Sequence, residues 1–203
     1  MPEQATALLA LWNDVDAALD AQYNAWHAGE HVPERLTVPG ILWGRRYGRS
    51  AEEGSPRYLT LYGLRDPDVL DSEPYQRLLR EPTAMSRTMR PALRNVSRWV
   101  CALHEQSGLN EGTHLLVCIS GDDGKPALCG KDAPVHGLVA HGRLLAERLP
   151  HARSLPWLQA GQDQSIDGRW LVCVPVEDGV RSAGPFAGAS LYARLPVGLP
   201  ALL

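Results

Sequence analysis

The chain has 203 residues, 44% hydrophobic and 21% charged, with a formal charge of −3 and a pI near 6.2. That length allows one large domain or two of about 100 residues each, and the balanced charge offers no concentrated basic surface for nucleic acid. Residues 1–107 carry 12 basic and 14 acidic groups and residues 108–203 carry 8 and 9, so neither half is a charged tail.

The opening run Ala5 to Trp12 reads as a buried strand closed by Asn13-Asp14. It is too short to cross a membrane and lacks the basic start of a signal peptide, which makes no membrane partner expected. Asp14 or Asp16 can cap the helix that follows, since a short carboxylate accepts the free N–H groups of a first turn. Leu19, Tyr23 and Trp26 share one face of that helix, which runs to about Arg35. Gly29 and Pro33 predict a bend or break near His31.

Pro39-Gly40 is a turn. Ile41 to Arg49 and Arg57 to Leu64 then read as two strands of an antiparallel hairpin. Short helices are expected over Glu73–Arg80 and Thr83–Arg90, with a fourth strand over Asn95–Leu103. This β-α-β-β-α-β order is the ferredoxin-like arrangement.

Gln106 to Gly112 is a polar, glycine-bearing link and marks a boundary between residues 1–107 and 112–203. Beyond it the order begins again. Thr113–Ser120 reads as a strand and Asp122–Asp132 as a loop. Pro134–Leu149 has helical spacing through Leu138, His141, Leu145 and Leu149. Ser154–Ala160, Arg169–Val176 and Ala189–Leu195 read as further strands. A ferredoxin-like sheet leaves one face bare, and two such halves cover each other by packing into an α/β barrel. The expected fold is therefore α+β, two tandem ferredoxin-like halves forming one barrel, with a homodimer as a further arrangement the pattern allows.

The four cysteines form no C-x-x-C pair and no zinc-spaced cluster. Cys101, Cys118 and Cys173 sit in apolar runs, where a free thiol behaves as a small hydrophobe. A reduced, cytoplasmic protein is the expectation.

The stretch Trp26-His-Ala-Gly-Glu-His-Val-Pro-Glu-Arg-Leu36, with Pro39-Gly40 and Arg45-Arg-Tyr47, resembles the dimeric α/β-barrel proteins of the EthD-like group. Pro56-Arg-Tyr-Leu-Thr-Leu-Tyr62, Val69-Leu-Asp-Ser72 and Pro74-Tyr75 extend the resemblance, which covers roughly residues 5–103. Members of the group commonly carry a tyrosine where this chain has His27. Relatives with the same barrel include isomerases, cofactor-free oxygenases and polyketide cyclases. The resemblance thus implies a small, mostly apolar ligand and little more, and a small apolar or aromatic compound with no cofactor is the expectation.

Within that frame His31 is the candidate acid/base, since a histidine beside Glu30 can titrate near neutrality. The competing reading has it bonding backbone at a bent helix end. His27 and His31 are spaced i, i+4 and with Glu30 spell H-x-x-E-H, but that zinc signature needs a third ligand and a larger scaffold. No metal is expected. Tyr58, Thr60 and Tyr62 alternate with Leu59 and Leu61. The aliphatic face is expected to meet the helices, leaving Tyr58 and Tyr62 to look into the barrel with Trp99. Arg45 and Arg46 lie on opposite faces, so at most one of them points inward, where its fork can bind a carboxylate or enolate; a solvated surface arginine is the competing reading. The candidate ligand-binding set is Trp26, Arg46, Tyr58, Tyr62 and Trp99. Two functions follow: an enzyme without metal that isomerises, cyclises, cleaves or oxygenates a small compound, or a non-catalytic module whose aromatics fill the sheet interface.

Overall fold

The computed structural model describes residues 3–49, 56–121, 141–150, 155–177 and 189–198. Eight strands carry the fold: β1 (Ala7–Val15), β2 (Ile41–Gly48), β3 (Tyr58–Leu64), β4 (Leu93–Gln106), β5 (His114–Ser120), β6 (Leu144–Arg148), β7 (Trp170–Val176) and β8 (Ser190–Leu195). They close into one antiparallel barrel in the order β1-β3-β2-β8-β5-β7-β6-β4. Reading around it, β4-β1-β3-β2 is the strand order of a ferredoxin-like sheet, and β8-β5-β7-β6 repeats that order strand for strand. The chain is therefore an α+β barrel of two ferredoxin-like halves. Two seams join them, β2 to β8 through Arg46–Leu195 and β4 to β6 through Cys101–Arg148. Closure within one chain removes both open sheet edges.

Four α-helices are described, all following strands of the first half: α1 (Asp20–Trp26), α2 (Val32–Leu36), α3 (Glu73–Arg80) and α4 (Ala84–Met89). Near His31, where a bend or break is expected, the regular α-helix is interrupted without the chain leaving helical form. A π-turn over His27–His31 joins α1 to α2, and the Val32 N–H bonds the His27 carbonyl five residues back. The wider turn absorbs Pro33, which has no N–H to give. The carbonyl of Ala28, five residues before Pro33, instead accepts from the Gly198 N–H at 2.8 Å. Gly44 lets α2 approach the sheet, because a Cβ there would stand 3.0 Å from Val32.

Cross-strand register decides which residues face inward, because directly opposite residues share a face. Trp12 lies opposite Leu59, Ala10 opposite Leu61 and Trp99, and Leu59 opposite Tyr47. These, with Leu115, Leu144, Leu171, Cys173 and Tyr192, form the barrel interior. Trp12 and Trp99 meet edge to face at 5.6 Å. Tyr58, Tyr62 and Leu9 belong instead to the layer between the sheet and the helices, with Tyr23, Trp26 and Val32.

Three expectations are corrected here. The aliphatic face of β3 lines the barrel and its tyrosine face meets the helices, the reverse of the sequence reading. All seven residues of β3 are buried, so alternation marks two faces without saying which is inside. Trp99 consequently lies across the sheet from Tyr58 and Tyr62. In the second half, the C-terminal part of the expected helix Pro134–Leu149 is strand β6; residues 134–140 lie outside the described residues. Leu144, Leu145 and Ala146 are all fully buried, and a short run buried on both faces satisfies helical and strand periods alike. Residues 155–160 form turns and not the expected strand, and β6 takes the place beside β7. The loop expected over Asp122–Asp132 falls outside the described residues.

Cys101, Cys118 and Cys173 are all buried. No described helix is long and apolar enough to cross a membrane.

Candidate functional site

Five of the six sequence candidates gather in the helix–sheet layer. Trp26, His31, Tyr58, Tyr62 and Arg46 all face it, and only Trp99 is directed away, into the barrel. The spacing of Tyr23, His27 and His31 by four residues aligns their rings along one side of the helix. Tyr58 and Tyr23 are 4.6 Å apart, Tyr23 and His27 5.0 Å, and His27 and His31 4.8 Å with their planes 30° apart. Trp26 lies 4.5 Å from His31. Its indole N–H donates to the buried Ser86 hydroxyl at 3.3 Å, which fixes the ring.

A polar network closes one end of this ladder. Arg46, only 2% exposed, donates to Asn24 Oδ1 at 2.8 Å and to the Pro196 carbonyl at 3.1 Å. Asn24 in turn donates to the Tyr58 hydroxyl at 2.8 Å, and Tyr58 donates to Asp20 at 2.6 Å. Arg57 completes the chain by pairing with Asp20 at 2.9 Å. Arg46 thus serves the ladder's frame and touches neutral acceptors. Its partner in sequence, Arg45, bonds Asn110 and lies over the Trp43 ring at 4.7 Å.

The other end opens on a cavity of about 40 Å³ lined by Trp12, Asn13, Trp26, His27, His31, Arg90 and Trp157 among others. His27 and His31 each bury an Nδ1 that has no hydrogen-bond partner, and the Tyr62 hydroxyl is buried in the same state. A buried polar atom without a partner costs about 1–3 kcal/mol, and the two imidazoles that carry one each also line the cavity. Burial holds His27 well below the usual histidine range, reinforced by Arg46 and Arg35. His31 is lowered for the same first reason, then by Arg35, His27, Arg90 and Arg46. Both rings are therefore neutral at pH 7. Glu30, the expected neighbour of His31, is engaged by the Thr83 hydroxyl at the start of α4.

Among the described residues no group of three or more His, Cys, Asp or Glu is placed to hold a metal ion.

Sequence reasoning did not reach Arg90 and Trp157. Arg90 is one of 18 arginines against two lysines, and no local pattern separates it from the rest. Trp157 arrives from the second half on a segment pinned by Gln162, whose side-chain amide donates to the carbonyls of Arg90, Pro91 and Leu93. The pairing of Val96 with Asp163 continues that attachment.

Comparison with protein-family models gives no match, and comparison with curated proteins gives none. Among solved structures the chain is similar to a protein described as anthrone oxidase-like. The TM-score is 0.61 and the identity 10%, with 97% of this chain and 96% of that one covered. The likeness shows the fold, an α+β barrel over the full span.

Proposed function

We propose that the chain is a small-molecule-binding barrel protein of the EthD-like kind, whose ligand is a small apolar or aromatic compound seated in the helix–sheet layer. The observation that carries this reading is the cavity beside His27 and His31, where aromatic walls surround buried nitrogens that lack partners. Ligand sites commonly combine an apolar wall with a few placed polar groups, and π-turns in helices recur at functional sites. The reading extends to metal-free chemistry on that compound, with His31 as the group that exchanges a proton. A neutral imidazole can accept from an acidic hydroxyl or carbon acid, and the lowered basicity of His31 confines it to substrates that ionise readily. The name of the structural neighbour supports oxidation of an aromatic ketone as the first reaction to assay.

A second reading, a non-catalytic module, is favoured by one specific observation. The cavity is about 40 Å³, far below the roughly 300–1,000 Å³ of drug-sized ligand sites. Binding a full aromatic ring requires Trp157 to move off Arg90.

The two readings separate in one experiment. Anthrone and a panel of simple aromatic ketones and phenols are titrated against tryptophan fluorescence, with oxygen consumption followed in parallel. Under the enzyme reading, ligands quench the fluorescence, and His31→Gln lowers turnover at least tenfold while circular dichroism stays unchanged. If no compound in the panel binds, the module reading stands.

A further inference from the structure

Arg90 begins the short 3-10 turn Arg90–Ala92 that follows α4. It is 5% exposed, and two of its nitrogens donate to backbone carbonyls, Nη1 to Leu79 at 3.1 Å and Nη2 to Leu78 at 3.0 Å. Both acceptors lie in the last turn of α3, where the helix carries its partial negative charge. That arrangement fixes the guanidinium but leaves its full charge without a carboxylate. Glu34, the acid that acts on it electrostatically, is paired with Arg35 at 2.9 Å. The Arg90 Nε is buried and has no partner. One face of the guanidinium is covered by Trp157, 5.3 Å from the ring centre.

Arg90, His27 and His31, each with one buried nitrogen that has no partner, all line this one cavity. Asn13, the other polar side chain there, has its Oδ1 occupied by the Tyr23 hydroxyl at 3.1 Å. Among the described residues no carboxylate lines the space. A neutral imidazole carries one N–H that can sit on either nitrogen, so both rings can donate inward. A buried cation without a counter-charge gains from any anion that reaches it with hydrogen-bonding geometry. The volume sets the size of that anion. A water-sized group needs about 10–15 Å³ of such space, so a cavity of about 40 Å³ accepts roughly three heavy atoms.

We infer that this cavity receives the anionic oxygen end of the ligand, a carboxylate, phenolate or enolate, with Arg90 as counter-charge and His27 and His31 as N–H donors. The inference rests on the reading of this cavity as the ligand site and adds the substrate class to it. Burial holds Arg90 down to about 10, which leaves it charged at pH 7.

The test compares benzoate with its neutral isostere benzamide by fluorescence titration of the wild-type chain at pH 7 and constant ionic strength. Benzoate is expected to bind at least tenfold more tightly. Arg90→Gln is expected to remove that advantage, bringing benzoate to within twofold of benzamide. Equal affinity of the two probes overturns the anion inference and leaves the ligand site standing, whereas binding of neither overturns both. Arg90 also ties two carbonyls of α3, so its variant must keep the wild-type circular dichroism to be read. Where it does not fold, competition in the wild type decides. Formate displacing benzoate, with formamide failing to do so, supports the inference; no displacement by formate overturns it.

Discussion

The two faces of the β1–β3 sheet are both buried, yet they are built for different purposes. The interior face presents Leu8, Ala10, Trp12, Leu59, Leu61, Trp99 and Cys101, every one of them at 1% exposure or less. The helix-side face mixes leucines with Tyr58, Tyr62, Arg46, two histidines and Arg90, several of whose polar atoms lack partners. Close packing of apolar groups stabilises and specifies the barrel, while unpartnered polar atoms weaken it. The interior is not free of such atoms, since the Trp99 indole N–H is one, but the orphaned imidazole, phenol and guanidinium atoms of His27, His31, Tyr62 and Arg90 share the helix-side layer.

Three experiments bear on that contrast. Trp99→Ala removes the largest piece of the interior and should destabilise the protein by about 3–5 kcal/mol in urea unfolding. A loss under about 1 kcal/mol would show that the interior is not the main core. The next effect concerns pH. His27 and His31 have folded pKa values lowered below 6.5, mainly by burial. The unfolded chain therefore binds more protons below that value, and stability is fully present above about pH 6.5 and falls as the pH drops. Each ring steepens the slope by at most about 1.4 kcal/mol per pH unit. His27→Phe should flatten part of this slope, and an unchanged slope would mean that the ring is solvated. The smallest effect is expected from Tyr62→Phe. Deleting a hydroxyl that has no partner should be neutral or stabilising by up to about 1 kcal/mol. A clear loss would reveal a partner and erase the distinction between the faces.

Much of this architecture could be read from the residues, for reasons specific to each element. Alternating or continuous apolar runs located seven strands within a few residues, and the helix expected over Glu73–Arg80 is α3. The paired element orders carried the barrel. Orientation was another matter. Leucine and tyrosine both suit a buried face, so Tyr58-Leu-Thr-Leu-Tyr62 could not say which side holds helices, and Trp99 was grouped with the wrong partners. The π-turn was hidden because Gly29 and Pro33 argue for a break, and the compensating N–H comes from Gly198, far along the chain. Leu144–Arg148 fell to the ambiguity of a short run. In the site, the histidine ladder was legible as a helical face. Arg90 and Trp157 were not, since they meet only when the second half folds over α3 and α4.

The bond from Gly198 to the Ala28 carbonyl and that from Arg46 to Pro196 span most of the chain; the latter joins residues 150 positions apart. Closing a loop of that length carries an entropic cost that is recovered only once the distant segment arrives. During synthesis the histidine-bearing helix emerges early, but its proline-freed carbonyl waits until residues 196–198 leave the ribosome. The Gly198 amide is then a local reporter of assembly. Its protection from hydrogen exchange should appear with the β2–β8 seam, and it should rise when a ligand stiffens the turn on which His27 and His31 are carried.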